Sequence, residues 1–226
     1  MNSKTNTGIA FPRLGGIAGI GFAALILLLN LLVLVPAGLP SPGADLDEAI
    51  AFFGSESAAM DLATMFLPAV WFLATLFGAG AVAASRRSEP ARTEAWALVG
   101  FAGILLQNLN VATVSAVRLA LAHTGAEDSA AALWALHESL FGLNGTFLAL
   151  ALVGLSMSGR QSGLIPTWLA GMGFAAAALQ FTSAVLTPQI LDGDPLGLIG
   201  LAGWLIWVAW LALYGLFLIR SKPEGP

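Results

Sequence analysis

Between Ala95 and Ala122 the chain carries an apolar run too long and too continuous for a soluble domain. Inside it sit Gln107, Asn108, Asn110, Thr113, Ser115 and Arg118. On a helix, Gln107, Asn110, Val114 and Arg118 share one face, because they are spaced 3, 4 and 4 residues apart. In a bilayer such a face cannot look at lipid without cost, so it has to look into protein or water. The remaining helices are therefore expected to gather around this one.

The other runs have the same character. Of the 226 residues, 58% are hydrophobic and only 10% are charged, against about 25% charged in soluble domains. This is the composition of an integral membrane protein. Its length suits one helical domain, 14–219, between short tails at 1–13 and 220–226. The first apolar run, Leu14–Val35, exceeds the 7–15 residues of a signal-peptide core and reads as a retained helix ended by Pro36. Leu46, Ala49, Ile50 and Phe53 then fall at helical spacing opposite acidic residues, as in a short helix lying on the membrane surface.

A second span runs from about Ala58 to Ala84, with Asp61 at its start and Pro68 inside it. The polar helix is the third. Thr124 and Glu127 have the spacing of a capping box, which starts a fourth helix reaching Ser158. At 1.5 Å per residue it is far longer than a hydrocarbon core of about 30 Å. Its first third should lie in the interface or outside the bilayer, with a bend expected at Gly142 or Gly145. The fifth span is Ile165–Leu186 and the sixth Leu196–Ile219.

Six spans place both termini on one side with the loops around Arg86 and Arg160. That side holds Lys4, Arg13, Arg86, Arg87, Arg92, Arg160, Arg220 and Lys222, eight of the nine basic residues. The opposite loops hold Asp45, Asp47, Glu48, Glu56, Glu127, Asp128, Asp192 and Asp194, with no lysine or arginine. By the positive-inside rule both termini are cytoplasmic. The basic residues form no patch interleaved with aromatics, so nucleic acid is not an expected partner. Cysteine is absent, which removes disulfides and thiolate chemistry, and neither a cofactor nor a metal is expected. Residues 17–36 also align without a gap to 169–188, sharing Gly19, Gly21, Phe22 and Pro36, and Gln107 falls opposite Gln180. Three hairpins in parallel repeat are one explanation, and small-residue packing is the other.

Three charges are not explained by loops: Asp61, Arg118 and Glu138, with His137 beside the last. All should lie near the outer edge of the hydrocarbon, where a lone arginine is costly unless it snorkels or pairs. Pairing of Arg118 with Asp61, Glu138 or both is expected. One reading is a clasp joining three helices. The other is an outward-facing site, with Arg118 as an anion anchor, Glu138 or His137 as proton carrier, and Gln107, Asn110 and Asn144 as floor. Asn108 and Trp134 complete the candidate ligand-binding set. Three functions fit: binding or moving a small amphipathic or lipid-like molecule, an intramembrane enzyme on a lipid or isoprenoid with Asp61 or Glu138 as acid, or a non-catalytic subunit beside a partner membrane protein. Trp204, Trp207 and Trp210, at i, i+3 and i+6, either line a cavity or face lipid.

Around Leu140-Phe141-Gly142, and again from Ser162 through Pro166 to Gly171, the chain resembles a family of bacterial six-helix membrane proteins of unknown function. The likeness covers roughly 138–173. It implies six helices and a bacterial inner membrane, and it transfers no functional residues.

Overall fold

A computed structural model describes residues 10–86, 90–123 and 127–221. Of the described residues 87% are helical, and none of them forms a strand. The helices are α1 (Phe11–Leu29, continued by a π-helical turn over Asn30–Leu34), α2 (Leu46–Ser55), α3 (Ser57–Ser85), α4 (Pro90–His123), α5 (Glu127–Gln161), α6 (Thr167–Val185), α7 (Thr187–Leu191) and α8 (Gly197–Arg220). Six of them, α1, α3, α4, α5, α6 and α8, are long and apolar enough to cross a membrane. This is a multi-pass membrane protein. Thr124, half of the expected capping box, lies outside the described residues.

The six spans form a closed ring. Each packs on its neighbour in sequence, α1 on α3, α3 on α4, α4 on α5, α5 on α6 and α6 on α8, and α8 closes back onto α1. Three antiparallel hairpins joined head to tail produce this order. The positions matched by the internal alignment do not all face the same way, however. Gln107 and Gln180 are buried, whereas their counterpart Leu28 is 52% exposed.

Glycine sets how closely the spans approach. A Cβ on Gly103 would collide with the Ala151 backbone, and one on Gly154 would collide with the Gly100 backbone. The α4 and α5 backbones therefore touch, as small residues allow in lipid, where packing replaces the hydrophobic effect as the driving force. The long α5 stays helical through Gly142 and Gly145. Both glycines serve close packing: the Thr187 side chain sits where a Gly142 side chain would be, and the Gln180 carbonyl fills the same place at Gly145.

The ring is filled by aromatic residues in the half nearer the start of α1 and the end of α8. Phe77, Trp210 and Tyr214 are fully buried and meet edge-on or tilted, with centroids 5.0–6.3 Å apart. Trp207 and Trp210 thus face the interior, and with Gln107 they line a cavity of about 20 Å³, room for one water. Trp204 is only partly buried against this core.

The opposite end of the ring is covered by α2. Its apolar face was expected on the membrane surface, but Ala49, Phe52 and Phe53 are buried against Met60, Ala63, Val117, Leu121 and Trp134. Burying two phenylalanines against aromatic and aliphatic side chains is worth about 1.5–3 kcal/mol each. The helix is thereby tied to the protein and closes the mouth of the bundle.

Candidate functional site

Beneath α2, α4 and α5 bring Arg118, His137, Glu138 and Phe141 together. Arg118 lies eleven residues beyond Gln107 and four beyond Val114, so it points into the ring with them. His137 precedes the buried Leu148 by eleven residues and shares its face of α5. The Arg118 Nε–H donates to His137 Nε2 at 2.8 Å. An arginine can only donate, so Nε2 must accept and the histidine proton must sit on Nδ1. That Nδ1–H donates in turn to Glu138 Oε1 at 3.0 Å. The second carboxylate oxygen, Oε2, accepts the Gly43 backbone N–H at 2.6 Å.

The result is one hydrogen-bonded line running cation, neutral ring, carboxylate, backbone. His137 and Glu138 are both buried, 3% and 6% exposed. The direct ion pair expected between Arg118 and a carboxylate is not formed among the described residues, because the imidazole stands between the two charges. The charges still compensate each other at that separation, since a low-dielectric site screens them weakly.

Rings reinforce this line. Trp134 and His137 stack at 4.8 Å with planes 11° apart, and His137 and Phe141 follow at 5.9 Å and 11°. The spacing i, i+3, i+7 along α5 makes the stack possible. The Arg118 guanidinium carbon lies 5.6 Å from the Phe141 ring centre, a cation–π distance. Trp134 also donates from Nε1 to the Ala44 carbonyl at 3.3 Å. Gly43 and Ala44 therefore latch the loop before α2 onto α5. Gly43 has φ of +81°, and a Cβ there would run into the Ile190 carbonyl of α7. Only glycine fits this contact, which is the physical content of the Pro40–Gly43 turn.

The remaining candidates divide. Asn110 donates from Nδ2 to the Leu140 carbonyl at 2.9 Å and to Asn144 Oδ1 at 3.1 Å, so both amides lie on the α4–α5 seam below Arg118. Asn108 turns to α3 instead, donating to the Trp71 carbonyl and to Thr75 Oγ1, each at 3.1 Å. It joins helices and is remote from the cluster. Gln107 lies deeper still, at the central cavity. Asp61 is exposed and sits one turn from Met65, which is 75% exposed, so it points away from the ring. Depth brings Asp61 level with the cluster, but helical phase separates them. His123 ends α4 with its Nδ1 2.9 Å from the Leu119 carbonyl, and it too is exposed. Among the described residues no three histidine, aspartate or glutamate side chains converge as a metal-binding group.

One exposure is out of place. Phe141 follows the buried His137 by four residues and precedes the buried Leu148 by seven, yet it is 41% exposed. Arg118 beside it is half-buried. Its terminal amines make no hydrogen bond to another described residue. An exposed aromatic side chain and a half-buried guanidinium thus lie side by side at this level. Phe141 was expected only as part of an aromatic pocket beside Glu138 in the enzyme reading, and Gly43 was missed as a site residue in the sequence. The helical spacing of Phe141 from His137 was the available signal for one, and the Pro-Gly turn for the other.

No protein-family model matches the chain, and neither a curated protein nor a solved structure matches it.

Proposed function

We propose that this chain binds a small amphipathic or lipid-like molecule at the outer edge of a bacterial inner membrane, with Arg118 holding the polar head. The observation that carries this reading is the exposed Phe141 beside a guanidinium whose terminal amines donate to no described residue. A structural clasp would spend both ends of the arginine on protein. Here the Nε–H is given to His137, and the terminal amines donate to no described residue.

The surroundings suit an amphipath. The head would meet Arg118, with Asn144 deeper on the same face, and the tail would meet apolar side chains of the ring. Glu138 already accepts two hydrogen bonds and positions His137, a supporting role that leaves it poorly placed as an acid for catalysis. Binding is therefore favoured over chemistry. The test is a thermal-shift series in detergent with single-chain amphiphiles of varied head group. The reading expects at least one to raise the melting temperature of the wild type and to leave Arg118→Leu unmoved, since a ligand stabilises only a state that binds it. Equal shifts in both proteins would overturn it.

A further inference from the structure

We infer that the head group taken by this site is a flat, uncharged ring bearing carbonyl oxygens, of the quinone type, attached to an apolar tail. The inference rests on the binding reading above and narrows it to one ligand class.

The first argument is geometric. Trp134, His137 and Phe141 already form a stack with planes within 11° from ring to ring. The Trp134 end is covered by Phe53, whose ring centre lies 6.1 Å away. The Phe141 end carries no further ring among the described residues, and Phe141 is 41% exposed. A planar ring laid on it would continue the series with the offset geometry that aromatic pairs prefer. From there a carbonyl oxygen at the edge of that ring would reach the terminal amines of Arg118, whose guanidinium carbon lies 5.6 Å from the Phe141 ring centre.

The second argument is charge. Arg118 is the sole lysine or arginine in the outer half of the chain, while the loops at that end carry eight acidic residues. Its charge is already offset by Glu138, one imidazole away. An entering phosphate or carboxylate would meet a nearly neutral cluster inside an acidic rim, with no second cation to hold it. Repulsion from the rim opposes its approach, and desolvation of its own charge is left uncompensated. A neutral carbonyl takes the same donors and adds no charge. A hydrogen bond from a charged donor to a neutral acceptor still contributes usefully where water is excluded.

The experiment is isothermal titration of the full chain in nanodiscs with three probes that share a ten-carbon tail: a decyl-substituted benzoquinone, decanoate and decyl phosphate. The expected result is saturable binding of the benzoquinone, about tenfold or more tighter than either anion. Arg118→Gln should weaken it about tenfold or more, and Phe141→Leu, which keeps an apolar side chain but removes the ring, by about two- to tenfold. Asp61→Asn should leave it unchanged. Each variant's melting temperature is measured alongside, so that lost folding is told from lost binding. Tighter binding of an anion that depends on Arg118 would overturn the ring assignment and leave the amphipath reading standing. Benzoquinone binding indifferent to Phe141→Leu would also overturn the ring assignment. If no probe shows Arg118-dependent binding, both readings fall.

Discussion

Replacing Glu138 with glutamine probes the cluster most sharply, because the two side chains share a shape and differ in what they accept. Glu138 receives His137 Nδ1–H on one oxygen and the Gly43 N–H on the other. A glutamine has one acceptor oxygen and one donor group, so it can serve only one of these two donors. If the amide oxygen keeps Gly43, the amide N–H₂ faces His137 Nδ1–H. The imidazole could switch its proton to Nε2, but that proton would then oppose the Arg118 Nε–H. Every arrangement leaves a buried donor against a donor. Hydrogen bonds to a charged group contribute about 1.5–3 kcal/mol, and an unmet buried donor costs about 1–3 kcal/mol, so a loss of about 2–4 kcal/mol is expected. For a chain of this length about 1 kcal/mol moves the melting temperature by about 2–4 °C, which gives a drop of roughly 5–15 °C. The assay is thermal unfolding in detergent, with Asp61→Asn as the exposed comparison, expected within about 2 °C of wild type. A Glu138→Gln protein that melts with the wild type or above it would refute the reasoning.

Three further outcomes follow from the packing. Phe53→Ala removes the side chain that seats α2 on Trp134 and should cost about 3–5 kcal/mol locally, seen as protease cleavage between 36 and 56 while the spans stay intact. Asn110→Leu breaks two bonds across the α4–α5 seam and should lower stability by about 0.6–1.7 kcal/mol, the range for such bonds in lipid, read as a small fall in melting temperature. Gly103→Val forces α4 off the Ala151 backbone and should abolish a monodisperse peak on size exclusion, whereas Gly171→Ala, at a glycine with open space around it, should elute as wild type.

The spans and their number were legible in the sequence because hydropathy reports directly on what lipid tolerates. The common level of Asp61, Arg118 and Glu138 in the bundle was legible as well, since Met60, Val117 and Trp134, near them in sequence, pack in one cluster. Phase between helices was not. Asp61 and Arg118 share a level but point to opposite sides of their helices, and nothing within α3 alone says which side meets α4 near its outer end. The α2 pattern announced an amphipathic helix, yet its apolar face fits lipid and Trp134 equally well on paper. The imidazole between Arg118 and Glu138 escaped notice for a related reason. Adjacent residues on a helix usually diverge by about 100°, and it takes the bent reach of the Glu138 side chain to bring its oxygen back to His137.

The central claim is that Arg118 holds the head of an amphipathic ligand, and native mass spectrometry of the intact protein tests it most directly. Wild type and Arg118→Leu are purified side by side from membranes in a mild detergent, under conditions where both remain folded. The account predicts a single retained small molecule on the wild type and its loss from the variant. An adduct of the same mass and occupancy on both proteins, or none on either, would contradict it.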